Sequence, residues 1–366
     1  MLSKIYLSEN KLSVEIQLST NNINLLSDFE IGIEKYYGLS NKVAVLNSGT
    51  SSLHLALILA GVKQNDEVLC QSFTFSASAN PIVYQGAKPV FIDSENDTWN
   101  MCPEFLEDAI KNRIAKNKKP KAIIVVHLYG MPAKIDLIVE IAKKYNIALI
   151  EDAAEALGSI FKGQKCGAFG DFGILSFNSN KIITLSSGGA LVCDTEENKQ
   201  KAIFLATQAR DNTIHYQHSE VGYNYRMSNV LASVGIEQMN VLSEHVSLRR
   251  KNNKFYQEFF KNISGIKVFT EPTTNYFSNH WLSCIIIDSS ITGFTKEDLR
   301  LQLKKDNIES RPLWKPMHLQ PVFKNCAYYG NNVAESLFEK GLCLPSSSNL
   351  TDVDRERILN SISKLL

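Results

Sequence analysis

The sequence has almost no charge bias. Its 366 residues carry 39 lysines and arginines against 38 aspartates and glutamates, a formal charge of +1, with no long run of one sign. A nucleic acid or an anionic membrane would call for a basic surface, so the expected partner is a small molecule. Paired cysteines are missing as well. The seven cysteines are scattered, odd in number and free of any CxxC, which argues against a disulfide framework or a structural zinc site and for a reducing cytoplasm. The opening MLSKIYLSENKLSVEI has charges throughout and no apolar signal core, and runs such as AIIVVHLYGM are too short for a bilayer, so no membrane insertion is expected. No GxGxxG follows a strand-like run, which disfavours a dehydrogenase. The seven histidines form no HExxH; His215 and His218 stand three apart without an acidic or cysteine partner, and no metal site is expected.

What is present is an alternation. Between residues 40 and 195, short apolar runs (KVAVL, EVLC, KPVFI, KAIIVVHLY, IALIED, FGILSF, GALVC) alternate with amphipathic ones (TSSLHLALILAG, PEFLEDAIKNRI, KIDLIVEIAKKYN). This is the pattern of βα units, which build a mostly parallel sheet covered by helices on both faces. A long helical stretch over about 226–262 leads to a mixed tail with WLSCIIID, TKEDLRLQLKKDN and DVDRERILNSISKLL. The expectation is an α/β chain with a large domain over 1–240 and a small α/β domain over 241–366. In open α/β sheets ligands sit beyond the carboxyl ends of the strands, so the residues that follow each apolar run are the informative ones.

One stretch, SFNSNKIITLSSGGALV, places Lys181 among small, neutral and β-branched residues with no acid nearby in sequence. Other strand ends carry complementary chemistry. NSGTSSLHLAL follows VAVL, so Gly49, Thr50 and backbone N–H groups stand at a helix N-terminus able to hold a phosphate, although Ser and Thr there also serve as ordinary caps. EDAAEALGS puts Asp152 at a strand end and Glu155 three residues on, and QSFTFSASANP places Phe75 before small residues that leave room for a flat ring. A phosphate cradle, a carboxylate, an aromatic ring and an isolated lysine together match what pyridoxal phosphate requires: a Schiff-base lysine, an acid for its pyridine nitrogen and a phosphate site.

The stretches NSGTSSLHLAL, EDAAEALGSIFKGQKCGAFGDFGILSFNSNK, GYNYRMSN and RPLWKPMHLQP, in this order from about residue 40 to the C-terminus, resemble the DegT-like sugar-nucleotide aminotransferases. The resemblance implies the aspartate aminotransferase fold (fold type I). It also implies that Lys181 binds the cofactor covalently and serves as general base, that Asp152 pairs with the pyridine nitrogen, and that Glu155 lies near the phenolic oxygen. Gly49, Thr50 and Ser176 are implied at the phosphate and Phe75 near the ring. The asparagine of GYNYR, Asn224 here, is implied to reach the phosphate of the neighbouring subunit in an obligate homodimer. The chain departs from the family ahead of Phe29 and Glu30, where IYLSENKLSVEIQLSTNNINLLSDFE lacks the usual Pro/Gly turns; the substrate contacts of that segment are affected. Ser179 stands where relatives tend to carry glycine, a change tolerated at negative φ.

With no acid in its stretch of sequence, Lys181 is expected to lack an ionised competitor, leaving its amine available for attack and proton transfer. The resemblance is greatest to enzymes that aminate C4 of UDP-2-acetamido-2,6-dideoxy-xylo-hexos-4-ulose on the bacillosamine route, with L-glutamate as donor. Arg226 and Lys315 are candidates to oppose the diphosphate, Trp314 to offer a flat face and His318 a hydrogen bond. GDP- or dTDP-linked ketosugars are the alternative substrates. A DegT-like regulator without chemistry is the rival reading, disfavoured by Lys181 and Asp152 together, and a dehydratase would replace the lysine, commonly by histidine.

Overall fold

A computed structural model describes residues 3–8 and 24–366. Among them, an eight-stranded sheet runs in the order Val43–Leu46, Gly189–Cys193, Phe172–Ser176, Ala148–Asp152, Ala122–Val126, Glu67–Gln71, Lys88–Ile92, Ala327–Tyr329. From Phe172–Ser176 across to Ala327–Tyr329 the pairings are parallel; Gly189–Cys193 runs antiparallel to both of its neighbours. The inner strands are buried on both faces, as the continuous apolar runs require, while the edge strand Ala327–Tyr329 is partly buried. Val68, Cys70 and Ile124 pack with Leu53 and Leu57 on one side, while Leu69, Ile123 and Val125 meet Leu106, Ile110 and Ile138 on the other.

The edge strand Val43–Leu46 is protected by carboxylates. Helix Leu25–Tyr37 places Glu30 and Glu34 one turn apart, and their Oε1 atoms accept the outward N–H groups of Val45 at 3.0 Å and Val43 at 2.9 Å. Lys199 balances this buried charge, at 3.0 Å from Glu34 and 3.7 Å from Glu30. An edge that would otherwise offer free N–H groups is thereby closed by side chains.

Past the large sheet, the expected long helix is two, Asn229–Asn240 and Leu242–Phe260, which meet at Val241, where φ is −100° and ψ is 0°. Beyond it lies a four-stranded antiparallel sheet, Ile266–Val268, Ser283–Ile287, Gly341–Leu344 and Arg311–Pro312, packed with helices Lys296–Lys305 and Asp352–Ile362, which start with Thr295/Asp298 and Thr351/Asp354 capping boxes. Two segments join parts of the molecule far from them in sequence. Ala327–Tyr329 forms the edge of the large sheet beside Lys88–Ile92, and Ile5 bridges to Ile308 and joins the apolar core of the C-terminal part.

Candidate active site

The sheet topology brings the chemistry to one edge. Ser176 and Asp152 end parallel strands, Ser48 and Gly49 follow the strand Val43–Leu46, and Gly189 begins the reversed strand on the same side. The loop 177–188 between Ser176 and Gly189 carries Lys181, and its turn is held by the Lys181 N–H donating to the Asn178 carbonyl at 2.9 Å. Ser48, Gly49, Asp152, Ser176 and Lys181 line one cavity of about 540 Å³, together with Thr50, Phe75, Ser78, Glu155, Trp281 and Trp314. Such a volume suits a small-molecule site. Ser179 in this loop has negative φ, so the missing glycine introduces no strain.

The phosphate end is the N-terminus of helix Gly49–Leu59, capped by Ser48, whose Oγ accepts the Ser51 N–H at 3.1 Å. Helix N–H groups and dipole favour an anion there. Glycine is required for closeness: a Cβ at Gly49 would stand 3.1 Å from that of Ser176, and one at Gly189 would stand 2.3 Å from the Ser48 carbonyl carbon. Larger residues would push the helix end away from the strand that presents the Ser176 hydroxyl.

Asp152 is buried, and its Oδ2 accepts from Ser78 Oγ at 2.6 Å while its Oδ1 accepts the Ala154 N–H at 3.2 Å. Ser78 is itself within 2.8 Å of Thr74 Oγ1. The carboxylate is thus oriented by hydroxyl and amide donors and lines the cavity, as an acid facing a pyridine nitrogen must. Phe75, 54% exposed at the cavity wall, lies 5.3 Å from Trp314 ring to ring, so its face is open to a flat ligand.

Around Lys181 the expectation of an amine without a competing acid is overturned. Glu155 Oε1 lies 3.5 Å from Lys181 Nζ; Glu155 is buried and Lys181 partly so. Burial pushes the Glu155 carboxyl up to about 7, outweighing the Lys181 charge and the 2.7 Å hydrogen bond from the Tyr129 N–H, which both act to lower it. Tyr129 donates that N–H from a left-handed backbone, φ 55°, and its hydroxyl accepts the Trp314 N–H at 3.0 Å. Such a conformation in a non-glycine residue costs energy and persists only where its surroundings hold it. Lys181 Nζ also lies 4.3 Å from the centre of the Trp281 ring, whose Nε1 donates to the Asn180 carbonyl at 2.7 Å. Trp281 therefore pins the lysine loop and presents a π face to the ammonium.

Trp314 is the expected substrate residue that reaches the cavity. Arg226 does not line the cavity of its own subunit: its Nη1 donates to Glu30 at 2.6 Å and to the Val45 carbonyl at 2.7 Å, part of the edge-strand closure. Lys315 is exposed outside the cavity. His318 also lies outside it, between Ser72 Oγ at 2.6 Å and Glu335 at 3.0 Å, stacked on Tyr328. Asn224 is exposed, with its carbonyl accepting from Asn47, and does not line its own subunit's cavity. Sequence reasoning missed Tyr129, Trp281 and Ser78, none of which carries a local motif. Residues 9–23, most of the departing N-terminal segment, lie outside the described residues, but Leu7 and Ser8 just before them line the cavity, and Ser8 Oγ donates to the Asn180 carbonyl at 2.8 Å.

The model of the DegT/DnrJ/EryC1/StrS aminotransferase family matches residues 14–363. The chain belongs to that family. EpsN of Bacillus subtilis (strain 168), which carries the name of a pyridoxal phosphate-dependent aminotransferase, is 47% identical over 345 residues, 93% of this chain and 88% of that one. GDP-perosamine synthase of Escherichia coli O157:H7 is 36% identical, over 87% of this chain and 84% of the enzyme. The UDP-4-amino-4,6-dideoxy-N-acetyl-beta-L-altrosamine transaminase of Campylobacter jejuni is 39% identical over 66% of this chain and 64% of its own. Among solved structures, Spr1654 of Streptococcus pneumoniae in its pyridoxal phosphate form superposes with a TM-score of 0.88 at 26% identity, over 100% of both chains. The architecture is fold type I, and this family member is a pyridoxal phosphate-dependent sugar aminotransferase.

Proposed function

We propose that the chain moves an amino group from L-glutamate to C4 of a nucleotide-linked 4-keto-6-deoxy sugar, with UDP-2-acetamido-2,6-dideoxy-xylo-hexos-4-ulose as the leading acceptor and surface-glycan synthesis as the destination. The observation that carries the reading is the convergence of Lys181, Asp152, Phe75 and the Gly49/Thr50/Ser176 cradle on one cavity. When bound, pyridoxal phosphate supplies the electron sink that lets hydrogen leave the donor's α-carbon and return on the sugar carbon. The chain's residues do the rest. The helix N-terminus and Ser176 hold the phosphate, Asp152 keeps the ring nitrogen protonated, Phe75 flanks the ring, and Lys181 Nζ holds the cofactor and then carries the proton between carbons. Glu155, with its carboxyl near 7, sits where it can take or return a proton beside that amine. Asn224 completes the phosphate site of a second copy in a homodimer.

The UDP acceptor is supported by the resemblance of SFNSNKIIT, TQARDNTIHYQH, GYNYRMSN and RPLWKPMH to enzymes of the bacillosamine route and by the likeness to the Campylobacter transaminase. A GDP-linked acceptor is the second reading, favoured by the similarity to GDP-perosamine synthase. The test is to incubate the protein with glutamate and each of the UDP-, GDP- and dTDP-linked 4-ketosugars and to follow amino-sugar formation by mass spectrometry. Preference for the UDP sugar with amination at C4 is expected; preference for another nucleotide, or amination at C3, overturns the acceptor assignment.

A further inference from the structure

Among the described residues that line the cavity there are two cations, Lys181 and Arg311. Lys181 is committed to the cofactor and the proton. Arg311 belongs to the short strand Arg311–Pro312, opposite Cys343, which also lines the cavity. Its side chain is 69% exposed, so an incoming ligand can reach it. A carboxylate already occupies one edge of the guanidinium: Glu309 Oε1 accepts from Arg311 Nε at 3.1 Å and from Nη2 at 2.8 Å. The other oxygen of Glu309 accepts the Leu7 N–H at 3.5 Å, and the Glu309 N–H donates to the Ile5 carbonyl at 2.8 Å. Glu309 therefore ties the arginine to the N-terminal segment 3–8, whose Leu7 and Ser8 form part of the cavity wall.

We propose that Arg311 binds a carboxylate of the amino donor, and that Glu309 is the internal carboxylate that the donor displaces. A dicarboxylic amino acid entering this cavity places its amine toward Lys181 and needs a cation for its negative end. Arg226, held by Glu30, and Lys315, outside the cavity, do not supply one within the subunit. The planar guanidinium suits a two-pronged carboxylate contact, whereas Glu309 meets its Nε and Nη2 with a single oxygen and turns the other to Leu7. An exchange of one carboxylate for another keeps the arginine paired throughout. The exchange also frees the Glu309 side chain from Arg311, coupling donor entry to the N-terminal segment.

This inference rests on glutamate being the donor, and the assays separate the two. The visible absorbance of the loaded protein and its loss on adding glutamate report the aminotransferase reading. Glutarate, a dicarboxylate with no amine to react, reports Arg311 alone when titrated by calorimetry into the cofactor-loaded protein. Arg311→Gln is expected to weaken glutarate binding and to raise the KM for glutamate by about 10- to 100-fold, the range of a lost charge-assisted hydrogen-bond pair, with the visible band, kcat and the UDP affinity held. Arg311→Lys is expected to recover part of the loss, and Glu309→Gln to tighten glutarate by removing its competitor. Unchanged glutarate affinity in Arg311→Gln, no glutarate binding by the unmodified protein, or a loss confined to UDP would overturn the assignment.

Discussion

Glu155 offers the most direct physical test of the site. Its carboxyl has an ordinary value of 4.5 and stands at about 7 in the folded protein, chiefly because burial disfavours the charged form. Between these values the folded protein keeps a proton that the unfolded chain has released, so the stability linked to this group is fully present below about pH 4.5 and is lost as pH rises through 7. At about 1.4 kcal/mol per pH unit the gap amounts to about 3 kcal/mol, of which about 2.5 kcal/mol falls between pH 5 and pH 8. Urea unfolding of the cofactor-free protein and of Glu155→Gln, at equal concentration across this range, measures it. The amide keeps an oxygen for the Tyr129 N–H and cannot ionise. The difference between wild type and variant is expected to move by about 2.5 kcal/mol, with the wild type losing more on the alkaline side. Parallel stability curves would show that Glu155 is ionised throughout and that the Lys181 charge, not burial, governs it.

Other outcomes follow from the same geometry. Lys181→Ala should bind pyridoxal phosphate without the visible band of the covalently held cofactor and turn over negligibly; an active variant would remove Lys181 from the mechanism. Mixed subunits of Asn224→Ala and Lys181→Ala should regain part of the activity through hybrids with one intact site, whereas a fully active monomer on sizing at low concentration would contradict a shared site. Glu34→Ala should cost about 3 kcal/mol in urea unfolding, because it removes the acceptor of the Val43 N–H and the closer partner of buried Lys199; a loss under 1 kcal/mol would mean that water closes that edge instead. Glu34 supports this directly: burial raises its carboxyl, but hydrogen bonds from Val43, Lys199 and Lys42 outweigh burial and hold it below its usual range.

The apolar runs alone determined the central sheet and the place of its strand ends, because a doubly covered strand must be apolar on both faces and its ligand edge follows from chain direction. Asp152, Ser176, Gly49 and Lys181 were legible for that reason: each stands within a few residues of a strand end. The break at Val241 was not, since a helical pattern continues through it and packing decides the bend. Nor was the joining of Ala327–Tyr329 to the large sheet, a pairing with Lys88–Ile92 across more than two hundred residues of chain. Separation in sequence also hid the chemistry around the lysine. Glu155 and Trp281 meet Lys181 from opposite sides in sequence, and Tyr129 reaches Glu155 through a left-handed backbone that its residue type does not announce. The Glu30 partner of Arg226 was not legible either, because an arginine reads the same in sequence whether a substrate or Glu30 takes its charge. Pattern along the chain specifies which elements form and where they end; which side chains share a buried space, and therefore which charges meet and how far burial moves them, is set when the elements pack.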